Sequence, residues 1–226
     1  MKKIELIKAI PILPFAYVDS LKTREKSQQY AHCRKWSHTV LRFLGLSLDI
    51  QGVEQLKEAE TYYFVCNHQG TLDPALIVDA CPYPIRFVSK LENASIPLLG
   101  RWAKNIGCIH FDRESRQGNI HMLRETMRAL KKQENILIFP EGTRSKSDTM
   151  NPFMEKALQP AYQTKATIVP ISLSNSYVLD VAKDSSKQCK IVFGKPIPYE
   201  QYKDVDKDAF CDSLQKWIAS QIEKSK

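Results

Sequence analysis

The sequence contains no apolar run of the roughly 20 residues that a membrane-spanning helix needs. It also has no signal peptide with a small-residue cleavage site. Its six cysteines are scattered, without a Cys-x-x-Cys pair or the spacing of metal ligands. Because residues such as Cys66 and Cys108 lie within apolar runs, we interpret the cysteines as small buried side chains of a protein in a reducing cytosol.

The composition is that of a folded globular protein. Hydrophobic residues make up 43% of the chain and charged residues 26%, which argues against a disordered chain. A length of 226 residues suits one ordinary domain. Lysine and arginine number 33 against 25 aspartates and glutamates, a formal net charge of +8. This excess favours an anionic partner: nucleic acid, an anionic membrane surface or a phosphorylated substrate.

The amino-terminal part of the chain carries most of the positive charge. Residues 1–50 hold nine basic and four acidic residues, a net charge of +5. Pro11 and Pro14 exclude one long helix there, so we expect a short helix, a kinked segment and a second helix. Over residues 20–46, apolar and aromatic residues recur at helical spacing between basic ones. They are Tyr30, Cys33, Trp36, Val40, Leu41 and Leu44.

A basic amphipathic helix with aromatic residues suits an anionic lipid interface. We therefore interpret residues 1–45 as a membrane-docking segment and residues 46–226 as the main domain. The alternative is a helix that packs on the domain and exposes its basic face to water.

Strand-like and helix-like segments alternate after residue 45, which predicts an α/β fold with a mostly parallel sheet flanked by helices. We expect residues 142–151 to form a mobile loop. The predicted strands are residues 46–53, 62–66, 85–89, 108–111, 136–139, 167–173 and 190–193. The predicted helices are residues 75–80, 95–106, 116–132, 155–164 and 208–224.

Residues 67–74, Asn-His-Gln-Gly-Thr-Leu-Asp-Pro, place a histidine and a carboxylate directly after a predicted strand. Ligands of α/β sheets bind at the carboxyl ends of strands, and a carboxylate beside a histidine lets the ring act as a general base. Side chains five positions apart on a regular helix diverge by about 140°. His68 and Asp73 therefore meet only if the turn between them is irregular, which Gly70 permits. In the alternative interpretation, Asp73 caps the next helix and His68 contacts a backbone carbonyl.

Two further predicted strands end in arginine-bearing motifs. Arg113 ends the motif Gly-Cys-Ile-His-Phe-Asp-Arg, and Arg144 lies within Phe-Pro-Glu-Gly-Thr-Arg-Ser at residues 139–145. Arginine binds phosphate with two hydrogen bonds, and the backbone N–H groups of Gly142 and Thr143 could contact an anion. Each arginine alone is more often part of a surface ion pair. Together, at the strand ends that also carry His68, they predict a phosphate-binding site.

These motifs, in this order, resemble the four ordered blocks of the glycerolipid acyltransferases. The most similar members are the bacterial 1-acylglycerol-3-phosphate O-acyltransferases. The blocks are residues 67–73, 107–113, 139–145 and 168–171, and they span about half of the chain. The resemblance implies a fold like that of the glycerol-3-phosphate acyltransferases, with residues 46–226 as the acyltransferase domain.

The resemblance also implies a reaction. His68 would deprotonate the sn-2 hydroxyl of 1-acylglycerol 3-phosphate, or lysophosphatidic acid, and Asp73 would orient His68. The hydroxyl oxygen would then attack the thioester of acyl-CoA or acyl carrier protein to give phosphatidic acid in phospholipid biosynthesis. No metal or further cofactor is implied.

The resemblance assigns the remaining site residues to the substrates. Glu141 is expected to orient an arginine or the loop, and Gly142 to let the backbone approach the substrate closely. Val169 and Pro170 are expected to shape the acyl-donor pocket. The substrate-binding set is Lys90, Arg113, Glu141, Gly142, Thr143 and Arg144.

The implied location is the cytoplasmic face of the cell membrane, where a peripheral or monotopic enzyme would meet lysophosphatidic acid and an anionic lipid surface. Nucleic acid is not expected, because the chain has no base-stacking motif. Two alternatives remain. One is an acyltransferase for another lysolipid, such as lyso-ornithine lipid or a lysophospholipid, and the other is a non-catalytic module that binds anionic lipids.

Overall fold

A seven-stranded sheet lies at the centre of the computed structural model, which describes residues 11–22, 25–178, 180 and 187–224. The strands follow the order β1-β7-β6-β2-β5-β3-β4 across the sheet. They are β1 (Ser47–Gln51), β2 (Tyr62–Cys66), β3 (Ile85–Lys90), β4 (Ile109–Phe111), β5 (Asn135–Ile138), β6 (Thr167–Ser174) and β7 (Gln188–Phe193).

Five neighbouring strands run in one direction. β6, β2, β5, β3 and β4 are parallel, whereas β7 is antiparallel to β6 and parallel to β1. The seven predicted strands and the mostly parallel sheet are therefore confirmed, and the reversal at β7 is new. The ends of β2, β5, β3 and β4 share one side of the sheet, which we call the carboxyl edge.

Helices cover both faces of the sheet. They are α1 (Leu13–Ser20), α2 (Lys26–Phe43), α3 (Asp73–Ala80), α4 (Leu99–Asn105), α5 (Arg116–Lys131), α6 (Gln159–Thr164) and α7 (Lys207–Glu223). Short 3₁₀ turns occupy Val53–Gln55, Leu91–Ser95, Glu155–Leu158 and Tyr199–Gln201.

The central strand β2 is buried along its whole length and contributes side chains to two hydrophobic cores. Tyr62, Phe64 and Cys66 pack with residues of α2 and α3. Tyr63 and Val65 pack on the other face with residues of α5, α6 and α7. This alternation follows from the two-residue period of a strand, and it explains why a strand with both faces covered is apolar at every position.

The apolar face of α2 lies in the core. Its buried residues are Tyr30, Cys33, Val40, Leu41 and Leu44. The Tyr30 hydroxyl donates to the carbonyl oxygen of Cys81 at 3.2 Å, and Trp36 Nε1 donates to the Asp19 carboxylate at 2.9 Å. This face therefore packs on the domain, as in the alternative interpretation, and the membrane-docking role of residues 1–45 stays a prediction. Gly45, with φ of 77°, follows the helix in a left-handed conformation that favours glycine.

α1 differs from α2, because several of its apolar side chains face outward. Phe15 and Val18 are exposed, and Leu21 is exposed directly after the helix. Pro14 lies in the first turn of α1, where a missing N–H costs no helical hydrogen bond. The short helix expected at the start of the chain lies outside the described residues. Within the described residues, no helix combines the length and apolar character that crossing a membrane requires.

The packing of α2 predicts a large effect of Leu41→Ala on stability. Leu41 is buried, so truncation leaves a cavity and should lower the free energy of unfolding by about 2–5 kcal/mol. Phe43→Ala, at the exposed end of the same helix, should change it by about 0.5 kcal/mol or less. Urea denaturation measures both variants, and similar small effects would contradict the packing of α2 in the core.

Candidate active site

His68 and Asp73 contact each other at the carboxyl edge. The irregular turn between β2 and α3 places His68 Nδ1 2.7 Å from Asp73 Oδ2. The backbone N–H groups of Gln69 and Gly70 also donate to Asp73 Oδ2, at 2.7 and 3.0 Å. The predicted contact is thus confirmed, and these two N–H groups are the reason that the turn bends back onto the carboxylate.

The contacts of Asp73 determine which nitrogen of His68 can accept a proton. The other partners of Asp73 are backbone N–H donors. The buried carboxylate of Asp73 therefore accepts a hydrogen bond from Nδ1–H of His68 as well. Nε2 is then the nitrogen that can take a proton from a substrate. The ring also stacks on Phe139, with centroids 4.1 Å apart and an interplanar angle of 16°. These two contacts hold the imidazole in one orientation.

Gly70 is required by space rather than by its backbone angles. A Cβ atom on Gly70 would lie 2.6 Å from the carbonyl oxygen of Ser176. Ser176 also binds the side chain of Gln69. Gln69 Oε1 accepts hydrogen bonds from Ser176 N at 3.0 Å and from Ser176 Oγ at 3.1 Å. The turn is therefore packed tightly against the segment that follows β6.

Asn67 connects β2 to β6 next to the catalytic candidates. Its side-chain amide donates to the carbonyl oxygen of Leu173 at 2.9 Å, and its oxygen accepts from Leu173 N at 2.7 Å. Because Asn67 is buried, both of its polar groups need these partners. This pair of hydrogen bonds fixes the residue directly before His68.

Glu141 contacts His68 from the other side. Its Oε1 accepts from the backbone N–H of His68 at 2.6 Å, and its Oε2 accepts from Asn151 N at 2.7 Å and Asn151 Nδ2 at 3.1 Å. Burial raises the pKa of the Glu141 carboxyl above its ordinary value, and these hydrogen bonds offset part of that rise. Glu141 was expected to contact substrate or to orient an arginine or the loop. Its observed contacts are with the backbone and the loop.

The loop over residues 142–151 is held in place, contrary to the expectation that it is mobile. Ser145 N donates to the His68 carbonyl oxygen at 2.8 Å, and Lys146 N donates to that of Gln69 at 3.1 Å. Gly142 has φ of 66°, and its N–H donates to the Phe139 carbonyl oxygen at 3.0 Å. The Gly142 N–H is therefore not available to an anion, which corrects that part of the sequence interpretation. Thr143 is exposed beside it.

The carboxyl-terminal helix supports this loop from outside the site. The Gln215 side chain on α7 accepts from Phe153 N at 3.0 Å and donates to the Asn151 carbonyl oxygen at 3.3 Å. Asn151 in turn donates to Glu141, which contacts His68. A hydrogen-bonded path therefore leads from α7 to the backbone of the candidate base.

The predicted basic residues lie along the carboxyl edge. Lys90 ends β3, and Arg113 follows β4. Lys90 is exposed and Arg113 is half-buried. At about 4.8 Å per strand, β4 lies roughly 14 Å from β2, with β5 and β3 between them. A phosphate held near Arg113 would thus belong to a substrate that extends across several strands.

Arg144 has partners within the protein. Its guanidinium contacts Thr71 Oγ1 and lies 3.8 Å from Asp180 Oδ2. Asp180 also accepts from Thr71 N at 2.8 Å and Thr71 Oγ1 at 3.0 Å. Arg144 therefore neighbours the His68 turn, but an internal carboxylate already balances part of its charge.

Val169 and Pro170 do not line a pocket with His68. Both are buried in the middle of β6, and Val169 belongs to the core between the sheet and α2. Their expected role in shaping the donor pocket is not supported by this position. In the part of the chain that the structure describes, no group of histidine, cysteine or acidic side chains is arranged to hold a metal ion.

Comparison with known proteins fits this geometry. A sequence model of the family described as "Acyltransferase" matches residues 47–174, more than half of the chain. The chain belongs to the acyltransferase family. All residues of the His68–Asp73 turn and of the Glu141 loop lie within the matched range.

The chain is also similar in sequence to individual acyltransferases. The chain is 34% identical over 178 residues to the 1-acyl-sn-glycerol-3-phosphate acyltransferase of Saccharomyces cerevisiae, covering 76% of this chain and 58% of the yeast protein. It is 28% identical over 174 residues to the human alpha enzyme of that name, covering 75% and 62%. The chain thus spans about three fifths of these relatives. The expected bacterial origin stays a prediction.

A solved structure confirms the fold. The crystal structure of the 1-acyl-sn-glycerophosphate acyltransferase PlsC from Thermotoga maritima aligns with a TM-score of 0.79. The alignment covers 98% of this chain and 93% of that one at 18% sequence identity. At this identity the likeness establishes the acyltransferase fold.

Sequence reasoning missed three residues that support the candidate site. Asn151, Asp180 and Gln215 are separated by 10 to 109 positions from the residues that they contact. None lies in a motif at a strand end, so local patterns gave no signal for them. Glu141 is buried just after β5, and a buried carboxylate needs N–H donors, which His68 and Asn151 supply.

The contacts of Glu141 predict the effect of Glu141→Gln. An amide has one acceptor oxygen, so its NH₂ group would face either His68 N–H or the Asn151 donors. We expect the free energy of unfolding at pH 7 to fall by about 1–3 kcal/mol, the cost of leaving a buried donor unpaired. Urea denaturation measures this loss, with Glu58→Gln on the exposed surface as the control.

The same variant has an expected pH dependence. Because the pKa of Glu141 is raised in the folded protein, its contribution to stability is present below the ordinary value of 4.5 and is lost as the pH rises through the folded pKa. The stability gap between wild type and Glu141→Gln should therefore be larger near pH 4 than at pH 7. A gap that narrows on acidification would contradict the raised pKa.

Proposed function

We propose that this protein transfers a fatty acyl group from acyl-CoA or acyl carrier protein to the sn-2 hydroxyl of 1-acylglycerol 3-phosphate. The product would be phosphatidic acid, a precursor of membrane phospholipids. The observation that carries the proposal is the hydrogen bond of 2.7 Å between His68 Nδ1 and Asp73 at the carboxyl edge, beside exposed basic residues. The names of the yeast and human relatives support the acceptor.

The geometry suits general base catalysis by His68. Nε2 takes the proton of the acceptor hydroxyl as its oxygen attacks the thioester carbonyl carbon. Asp73 stabilises the imidazolium that forms, as the carboxylate of a Ser-His-Asp triad does. The tetrahedral intermediate then collapses, the carbon–sulfur bond breaks, and the imidazolium returns the proton to the departing thiolate. Protons and electrons balance, and His68 ends as it began.

The acceptor is positioned through its phosphate in this proposal. Lys90 ends β3 and Arg113 follows β4, both beyond β5, so a phosphate bound there would direct the glycerol backbone toward His68. Holding the hydroxyl next to the base replaces an encounter in solution, which can contribute several powers of ten to the rate. Arg144 would act closer to His68, and its pairing with Asp180 leaves the exposed part of its guanidinium for the substrate.

A non-catalytic lipid-binding module explains less of the structure. Such a module needs a basic surface, but it has no need for a buried carboxylate that accepts from three donors and orients a histidine. Other lysolipid acceptors share the reaction and differ in the head group. Purified protein assayed with two donors, acyl-CoA and acyl carrier protein, against several lysolipids distinguishes these cases.

For the cellular location, we propose peripheral or monotopic attachment to the cytoplasmic face of the membrane. The acceptor and the product are membrane lipids, and an enzyme on the surface could take up one and release the other. The exposed residues of α1 and the net positive charge support this attachment to an anionic surface.

The proposed mechanism predicts that His68→Ala abolishes acyl transfer. Loss of a general base lowers kcat by about 10²–10⁴-fold. Release of free thiol from acyl-CoA measures turnover, and His121→Ala on the exposed face of α5 serves as the control. Turnover of His68→Ala within twofold of wild type would refute the proposed base.

A second variant separates binding from chemistry. Arg113→Ala should raise the KM of the phosphate-bearing acceptor by about tenfold or more, since a hydrogen bond between charged groups contributes about 1.5–3 kcal/mol. The KM of acyl-CoA should change less than threefold. Arg116→Ala, exposed at the start of α5, controls for the loss of charge alone. Equal changes in both KM values would place Arg113 outside the phosphate site.

A further inference from the structure

The segment that connects β3 to α4 exposes large apolar side chains to solvent. Leu91, Ile96 and Leu99 have 53%, 44% and 39% of their surface exposed. β3 ends at Lys90, so this segment begins at the carboxyl edge, where His68 also lies. We call residues 91–99 the β3–α4 segment.

Hydrogen bonds hold the β3–α4 segment in a defined conformation. Asn93 Nδ2 donates to Ser89 Oγ at 2.9 Å, and Ser95 Oγ donates to the Glu92 carbonyl oxygen at 2.8 Å. Leu99 N donates to the Pro97 carbonyl oxygen at 2.7 Å across Leu98. These contacts fix both the beginning and the end of the segment.

The backbone is strained at the end of the β3–α4 segment. Leu98 has φ of 61° and ψ of −57°, the rare and strained form of the γ-turn. Gly100 follows so closely that a Cβ atom there would lie 2.1 Å from the carbonyl oxygen of Ala94. Strain of this kind persists where the surrounding structure enforces it, and it is found at contact and ligand sites. Here it accompanies two apolar side chains, Ile96 and Leu99, that face water.

α1 packs beside α4, the helix into which the β3–α4 segment leads. The Ser20 carbonyl oxygen at the end of α1 accepts from Asn105 Nδ2 at 3.0 Å and from Arg101 Nε at 3.3 Å, both on α4. The β3–α4 segment and α1, with the residue that follows α1, hold seven of the twelve large apolar side chains that are exposed in the described part of the chain. They are Phe15, Tyr17, Val18, Leu21, Leu91, Ile96 and Leu99.

The charges near these side chains identify the partner. Lys90 precedes the β3–α4 segment, and Arg101 and Lys104 lie on α4, whereas the segment itself holds one acidic residue, Glu92. Asp19 already contacts Trp36 and Lys22. Exposed apolar groups with basic groups around them suit the interface of an anionic lipid bilayer, where the apolar groups enter the acyl boundary and the cations meet lipid phosphates.

We propose that the β3–α4 segment is a membrane-contacting element that inserts Leu91, Ile96 and Leu99 into the surface of an anionic bilayer beside α1. This contact would turn the carboxyl edge, and with it His68, toward the bilayer. The inference rests on the proposed function only in that a lipid acceptor gives the contact a purpose. Binding to vesicles requires no turnover, so the test is independent of the proposed reaction.

The test compares two triple variants of the full chain. The first carries serine at Leu91, Ile96 and Leu99, and the control carries serine at Ile50, Ile120 and Val205, which are exposed on other parts of the molecule. Flotation with vesicles of phosphatidylcholine and phosphatidylglycerol should show binding reduced at least fivefold for the first variant and unchanged for the control. Circular dichroism and urea denaturation verify that both are folded.

A single exposed position gives a second measurement that does not depend on the triple variant. Leu91→Trp should bind vesicles more tightly than wild type, because tryptophan favours the interface, and Leu91→Asp should bind less tightly. Equal binding of wild type and both Leu91 variants would overturn the proposal. So would equal losses in the two triple variants, or a wild-type dimer that the first triple variant dissociates, because a second copy of the chain would then cover this surface.

Discussion

The buried carboxylate of Asp73 is the group on which the candidate site depends. A charged group away from water is costly unless donors surround it, and Asp73 receives hydrogen bonds from Gln69 N, Gly70 N and the His68 ring. The backbone donors bend the turn, and the bent turn brings the histidine to the carboxylate. Local chain geometry and the orientation of the candidate base therefore have the same cause.

Glu141 has a complementary position on the opposite side of His68. Asp73 contacts the ring of His68, whereas Glu141 contacts its backbone N–H and joins it to Asn151. Gln215 on α7 then connects the Asn151 segment to the carboxyl-terminal helix. The candidate base is thus anchored at both its ring and its backbone, by one carboxylate at the start of α3 and another that follows β5.

The sequence allowed accurate prediction of the strands, because each is a short apolar or alternating run between turn residues. It also located His68, Asp73 and the two arginine motifs at strand ends. It left open whether the apolar face of α2 packs on the domain or contacts lipid, because both contacts require the same amphipathic pattern. The pairing of Arg144 with Asp180, which are 36 positions apart in the sequence, depends on tertiary structure that local patterns do not encode.

The position of β7 in the sheet determines which fragment of the chain can keep the sheet intact. β1 lies within the residues that match the family, but its neighbour in the sheet is β7, which lies beyond them. β7 also separates β1 from β6 and the rest of the sheet. A fragment of residues 47–174 would therefore leave β1 without a strand to pair with and would expose the edge of β6. Residues 47 and 174 mark the limits of detectable similarity to the family. The folding unit is larger than this range, because it includes β7.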